Sequence, residues 1–414
     1  MRTNVGYERG MRIAGKPALA RAEWLVPFGY ALSLIAISAN AFEKYIGGYS
    51  LVAYIVAVLL AVFALWRYGP RVIAHVSERQ ALWLTVAFIL ALTAIFVVAY
   101  PLANAGLFGP DNDRNESISV GTARLLQGEY PYYGTTPGGA AISQLPGALF
   151  LTVPFFLLGD GAYQVIFWTI AFLIVVRTFL LDNRHTLLVM VSVFALAPKV
   201  GQEFVAGSDL VANALYILIA LILLLESAAG SSLAARVGAA LFLGLTLASR
   251  LNFVLLLPLV YAGAARKAGR RSETVALFSV GLAGLTCALL ILPFWRYDPA
   301  GFSPFLTSTG GKLAWFDIIL PYSGILIPAA TGLIALWLAF SQNNARYVTL
   351  FRNCAIIQAV PVVAGIVLPF FETGRFLWAF GSRYGFFFIF FAALAFWLAV
   401  QARQVSRSGA LGRG

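Results

Sequence analysis

The residues best suited to chemistry lie in a polar stretch between two apolar segments, residues 109–159. Its beginning carries Asp111, Asp113 and Glu116. A carboxylate in a dry pocket can serve as a general base that removes a proton from an attacking hydroxyl. A simple connection between two helices needs only a few residues, so a loop of this length and acidity indicates a functional site. We expect Asp113 or Asp111 to be the base.

Cations elsewhere in the chain are candidates for holding a phosphate group, namely Arg383, Arg375, Arg250 and Lys199. An arginine presents a planar fork of N–H donors that matches a phosphate and can stabilise it as a leaving group. An aspartate base and an arginine that face one site would together supply what a transfer reaction needs.

Polar and aromatic residues of the same loops are candidates for binding a sugar or an acceptor: Glu116, Tyr130, Tyr132, Gln202, Glu203 and Asp209. Simpler interpretations stay open. The tyrosines are also typical of the aromatic belt at a membrane interface. An unpaired charge inside a membrane costs about 2.5–3.5 kcal/mol, so the charged residues that abut apolar runs could pair with one another and orient helices. These are Lys199, Glu203, Asp209 and Arg250.

The chain as a whole has the composition of a membrane protein. Of its 414 residues, 60% are hydrophobic and only 11% are charged, which is more apolar surface than a soluble core can absorb. Repeated apolar runs of about 17–25 residues predict an all-α, polytopic membrane helical bundle. The net charge of +12 could suggest nucleic acid, but the basic residues lie in short loops between spans. There they set topology, so we expect a lipid bilayer and no nucleic acid as partners.

The sequence indicates no metal centre built from side chains. Cys287 and Cys354 lie inside apolar segments, which fits neither a disulfide framework nor a metal site. His75 and His185 are isolated beside loop arginines. We expect no resident cofactor, although a divalent cation stays open as a helper in catalysis.

The apolar segments divide the chain into two parts. A basic tail before the first segment favours a first transmembrane helix over a cleaved signal peptide. We expect two N-terminal transmembrane helices with that tail in residues 1–80, and a membrane core with an external loop 105–141 in residues 81–414. The thirteen segments are 24–42, 50–66, 81–104, 142–158, 161–181, 186–198, 208–226, 232–249, 251–265, 273–294, 315–340, 347–371 and 383–402.

The charges of the loops predict the topology. The positive-inside rule places both termini and the basic loops in the cytoplasm and the acidic loop 105–141 outside. These assignments agree only if one apolar segment after the acidic loop does not cross. Segment 142–158 is short and contains Pro146 and Pro154. We predict a half-inserted or re-entrant helix there, so that about twelve of the 12–13 helices cross, and segment 199–209 lies outside.

The acidic loop resembles that of a known family. Asp113, the later stretch 123–132 with the sequence ARLLQGEYPY, and the Pro-containing apolar segment after it resemble the first external loop of polytopic GT-C fold glycosyltransferases. The loop looks most like their bacterial branch that depends on polyprenyl-phosphate sugars, the mannosyl- and arabinosyltransferases similar to glycosyltransferase family 87. Segments 207–209, 249–252 and 383–384 resemble further family features, and the resemblance covers roughly residues 81–400.

The resemblance implies a function. Asp113 would be the catalytic base, and the late arginines would bind the donor phosphate. The protein would be a multi-pass glycosyltransferase of the inner (plasma) membrane and the cell envelope, passing a sugar from a polyprenyl phosphate to a glycan, lipid or protein hydroxyl outside. The sequence departs from the family pattern because the usual double-acidic start is absent and two helices precede the shared core.

Two alternatives to a glycosyltransferase stay open. One is a flippase or transporter of lipids or glycolipids, although spans nearly free of charge at mid-depth are unlike an ion-coupled transporter. The other is a structural subunit of an envelope-assembly complex that keeps the fold without activity.

Overall fold

The structure, a computed structural model, describes residues 24–105, 113–230, 232–269 and 272–411. The side chains at positions 113, 114, 272 and 406–411 are outside that description. Asp111 therefore lies outside the described residues, and Asp113 is described by its backbone alone.

The described chain is mostly helical and contains no β-strand, which confirms the predicted all-α polytopic bundle. Nine of the described helices are long and apolar enough to cross a membrane, or ten if one bent pair forms a single span. The α-helices are α1 Leu25–Tyr45, α2 Gly48–Ala74, α3 Glu78–Asn104, α4 Asp113–Leu126, α5 Pro146–Leu157, α6 Gln164–Phe179, α7 Asn183–Leu196, α8 Pro198–Val205, α9 Asp209–Ala228, α10 Leu233–Leu247, α11 Leu257–Lys267, α12 Ser272–Tyr297, α13 Ser303–Thr307, α14 Thr309–Leu313, α15 Ser323–Ser341, α16 Tyr347–Val367, α17 Phe370–Thr373, α18 Trp378–Tyr384 and α19 Phe386–Leu411.

Two ion pairs join loops that the charge pattern predicts to lie on the same side of the membrane. Glu78 at the start of α3 forms an ion pair with Arg184 at the start of α7, with Oε1 3.0 Å from Nε. Glu226 at the end of α9 forms another with Lys267 at the end of α11, with Oε1 2.8 Å from Nζ. Both pairs join loops that the sequence predicts to be cytoplasmic.

The Pro-containing segment that carries α5 forms a helix too short to cross a bilayer core by itself. Helix α5 has 12 residues, and at 1.5 Å per residue it is about 18 Å long, against roughly 30 Å for a bilayer core. Just before it, Gln144 accepts a hydrogen bond from Ser117 of α4 at 2.8 Å. Just after it, Asp160 accepts one from Tyr100 at 2.5 Å, and Tyr100 in turn accepts from Asn115 of α4. Both flanks of α5 therefore lie at one end of the bundle, as expected for a segment that does not cross.

Length and composition identify nine described helices that could cross a membrane, or ten with the bent pair, and the loop charges predict about twelve crossings. The nine long helices, the bent pair α7 and α8, the shorter α10, and the 3-10 turn Leu251–Leu256 continued by α11 make twelve described segments. Length and composition alone would miss the last two, because one has 15 residues and the other begins as a 3-10 turn.

The bend between α7 and α8 places the polar residues of α8 at the end of the bundle. Pro198 restricts the residue before it to extended backbone, and Ala197 has φ −125° and ψ 82°. Helix α7 therefore stops at Leu196, and α8 leaves at 94° to it. This turn carries the polar face of α8 to the place where other helices end.

Helix α1 is packed into the same hydrophobic core as the later helices. The buried hydroxyl of Tyr30 lies 2.8 Å from Ser192 Oγ on α7, and Trp397 of α19 donates to the same Oγ at 3.0 Å. The packing thus continues across residue 80, where the sequence suggests a boundary.

Candidate functional site

A cavity of about 790 Å³ opens where the ends of α1 and α3 meet α8 and α18. This large cavity is lined by five of the residues that the sequence predicts for the site: Glu116, Lys199, Gln202, Glu203 and Arg383. They come from α4, α8 and α18, so elements far apart in the chain meet in one place.

A second cavity of about 350 Å³, the small cavity, shares part of its wall with the first. Arg250, Lys312 and Arg383 line it together with the hydroxyl residues Ser117 and Ser143. The described wall carries these three cations and no carboxylate. A cavity of this charge favours an anionic ligand.

Lys312 and Arg383 line both cavities and so lie between them. Within the described part of the chain, neither forms an ion pair with a carboxylate. Partial burial, and then the positive charge of Arg383, lowers the pKa of Lys312 below that of an ordinary lysine. The Lys312 ammonium lies 3.9 Å from the ring centroid of Trp315. Adjacent cations that form no ion pair with a described carboxylate are suited to bind a phosphate.

The charges on α8 pair with each other inside the large cavity. Lys199 Nζ lies 2.7 Å from Glu203 Oε1, one helical turn away. The Glu203 side chain is only 3% exposed, and an unpaired carboxylate there would be strongly unfavourable. Lys199 also donates to Gln202 Oε1 at 3.1 Å. Lys199 and Glu203 therefore form a salt bridge, which is the simpler of the two interpretations of their charges. Both residues and Gln202 still line the large cavity.

Arg250 is held beside the small cavity by a buried carboxylate. Its Nη2 forms an ion pair with Asp209 Oδ2, and its Nη1 donates to Ser143 at 3.3 Å. Asp209 is fully buried, also accepts from Asn213 at 3.1 Å, and lines neither cavity. The structure thus places Asp209 under Arg250 as its support, and not in contact with a cavity as a sugar-binding residue would be.

Besides Asp209, three predicted site residues line neither cavity, namely Tyr130, Tyr132 and Arg375. The Tyr130 hydroxyl donates to the Phe294 carbonyl at 2.9 Å. Tyr132 is buried, with its ring centroid 4.8 Å from that of Phe302. The tyrosines therefore attach the loop after α4 to the end of α12, and Arg375 is exposed.

The start of α4 lies where the two cavities meet. Asn115 and Glu116 line the large cavity, and Ser117 lines the small one. The backbone of Asp113 begins this helix, two positions before Asn115. Asp111 lies outside the described residues. Residue 113 therefore lies about half a helical turn before the residues that separate the two cavities.

Sequence reasoning missed several lining residues on the first helices. Asn40 and Lys44 of α1 and Asn104 of α3 line the large cavity. The only signal was that each lies at the end of an apolar segment next to a loop predicted to be outside. Nothing in their spacing shows that these ends meet α8 and α18.

The described residues contain no group of three or more His, Cys, Asp or Glu side chains that could hold a metal ion. No protein-family model matches the chain, and no match was found among curated proteins or among solved structures.

Proposed function

We propose that this protein is an integral membrane glycosyltransferase of the GT-C type. It transfers a sugar from a polyprenyl-phosphate donor to a hydroxyl acceptor. The observation that carries the proposal is the position of Lys312 and Arg383 between two cavities, without a carboxylate partner among the described residues. Such a pair of cations suits a phosphate that is first bound and then stabilised as a leaving group.

In the proposed reaction, Asp113 takes the proton of the acceptor hydroxyl. The acceptor oxygen then attacks the anomeric carbon of the donor sugar and forms the new glycosidic bond. The bond between that carbon and the phosphate oxygen breaks, and its electron pair leaves with the polyprenyl phosphate. Arg383 and Lys312 stabilise the second negative charge that develops on the phosphate.

We further propose that both termini are cytoplasmic and that the two cavities face the outside of an inner (plasma) membrane. The support is the loop charge pattern, because basic loops stay in the cytoplasm. A cysteine at Gln127, which is exposed in the loop after α4, should react with an impermeant maleimide in intact cells. A cysteine at exposed Arg79 should react only after permeabilisation. The reverse result would contradict the orientation. The native cysteines Cys287 and Cys354 are buried.

The test of the activity uses the full chain in nanodiscs. Polyprenyl phosphates that carry radiolabelled hexoses or pentoses are incubated with a membrane extract that provides acceptors. We expect label to move from the lipid to an acceptor, and this movement to be lost in Asp113→Asn. Transfer that is equal in wild type, Asp113→Asn and empty nanodiscs would refute the proposal. If the lipid instead changes leaflet without losing its sugar, the protein is a flippase.

A further inference from the structure

The two cavities differ in chemistry, and the difference indicates what each one binds. The small cavity has cations and hydroxyls but no carboxylate on its described wall. The large cavity has the carboxylates of Glu116 and Glu203 and the side-chain amides of Asn40, Asn104, Asn115 and Gln202. The large cavity also carries the cations Lys44, Lys199, Lys312 and Arg383, so its charge is mixed, whereas the described wall of the small cavity presents a phosphate with cations alone.

Amide and carboxylate side chains together match a partner with many hydroxyl groups. Each hydroxyl both donates and accepts a hydrogen bond, and a side-chain amide offers both kinds of partner. A lipid chain would leave these polar groups without hydrogen bonds, which is unfavourable.

Asn115 shows this unmet hydrogen-bonding capacity directly. The residue is 6% exposed, and it lines the large cavity. The Tyr100 hydroxyl gives its only proton to Asp160, so it must accept from the Asn115 Nδ2 group, which lies at 2.6 Å. This fixes the orientation of the amide, and Oδ1 is buried without a hydrogen-bond partner. A buried acceptor without a partner is costly.

Aromatic rings complete the large cavity. Trp315 and Tyr45 line it, with 66% and 69% of their surfaces exposed. A sugar ring has an apolar face of C–H groups and a polar edge of hydroxyls. The exposed aromatic rings can contact the face, and the hydrogen-bonding groups beside them can bind the edge.

We propose that the large cavity binds a saccharide acceptor, so that the acceptor of the reaction is a glycan and not a lipid or protein hydroxyl. That the bound saccharide is the acceptor rests on the proposed function. That the large cavity binds a saccharide does not. The small cavity then takes the donor phosphate, with Lys312 and Arg383 between the two ligands. The start of α4 lies at the junction, where a base must reach the acceptor hydroxyl.

The experiment measures saccharide binding in the absence of any donor. Neutral trisaccharides of glucose, galactose, mannose and arabinose are tested by saturation-transfer NMR with the full chain in nanodiscs. Gln202→Ala and Asn104→Ala remove amides at exposed positions, so these variants should fold as the wild type does. Loss of one hydrogen bond should weaken binding about threefold to tenfold. Thr307→Ala, in the wall of the small cavity alone, is the matched control and should bind as wild type.

The outcomes separate the two proposals. Binding that both amide variants weaken and Thr307→Ala does not supports the saccharide site. No binding by any trisaccharide at millimolar concentration, or binding that only Thr307→Ala weakens, would overturn it. If trisaccharides bind as expected but no sugar leaves a polyprenyl phosphate, the proposed transferase fails while the saccharide site stands.

Discussion

Replacement of Arg383 by alanine tests the phosphate site most directly. Arg383 lines both cavities and has no carboxylate partner among the described residues. Its removal should therefore leave no buried group unpaired, and the stability of the protein should change little. A hydrogen bond to a charged group contributes about 1.5–3 kcal/mol, and a factor of ten in affinity corresponds to about 1.4 kcal/mol. The affinity for a polyprenyl phosphate should thus fall about 10-fold to 150-fold.

Lys312 should reduce that effect. The charge of Arg383 is one of the two causes that lower the pKa of Lys312, so the lysine regains basicity when the arginine is absent. We therefore expect the lower half of the range for Arg383→Ala. Arg383→Lys should restore affinity only in part, because an ammonium group is a point charge and does not reproduce the fork of N–H donors.

The assay is the binding of a short-chain polyprenyl monophosphate to the protein in nanodiscs, with the melting temperature measured in parallel. Arg375→Ala is the matched control, because Arg375 is an exposed arginine nearby in the sequence that lines neither cavity. The reasoning is refuted if Arg383→Ala binds the lipid as tightly as wild type. It is equally refuted if Arg375→Ala loses as much affinity as Arg383→Ala.

Other expected outcomes concern the carboxylates and the pH dependence. Asp209→Asn should lower stability by about 3–5 kcal/mol, because it leaves the partly buried Arg250 without its partner; an unchanged melting temperature would contradict this. Asp113→Asn should reduce turnover about 10²–10⁴-fold, and Asp111→Asn should reduce it much less. If Asp111→Asn is inactive while Asp113→Asn keeps its activity, the base is Asp111. The lowered pKa of Lys312 means that this lysine loses its charge at a lower pH than an ordinary lysine. Phosphate binding should therefore weaken as the pH rises toward the alkaline range, and Lys312→Arg should shift that loss to higher pH; identical profiles would exclude a role for its charge.

The fold was predictable because apolar runs and loop charges act over short distances in the sequence. The loop charges predict that one segment between 142 and 198 does not cross, and its shortness and its prolines single out 142–158. The 12-residue length of α5 is compatible with that prediction. The bounds were less accurate where a proline acts. Segment 186–198 extends past Leu196, because the extended backbone of Ala197 ends the helix there.

The candidate site was predictable only in part. Charged residues next to apolar runs stand out in a sequence, and Lys199, Glu203 and Arg383 do line a cavity. Whether such a charge faces a ligand or supports a neighbour depends on packing, which is why Asp209 proves to lie under Arg250. The amides of α1 and α3 carry no charge and no periodic pattern. Their role depends on which helix ends meet, and a single sequence does not show that.

The placement of α5 has a consequence for biogenesis. Its sequence, PGALFLTVPFFL, is as apolar as that of the true spans, so an insertion machinery that recognises hydrophobicity can mistake it for one. In the proposed topology, such an error would invert every later segment and carry the loop with Arg184 across the bilayer, which its positive charge opposes. The hydrogen bonds from Ser117 and, through Tyr100, from Asn115 hold both flanks of α5 at one end. A few residues of α4 thus tie down both flanks of the most span-like of the short apolar helices.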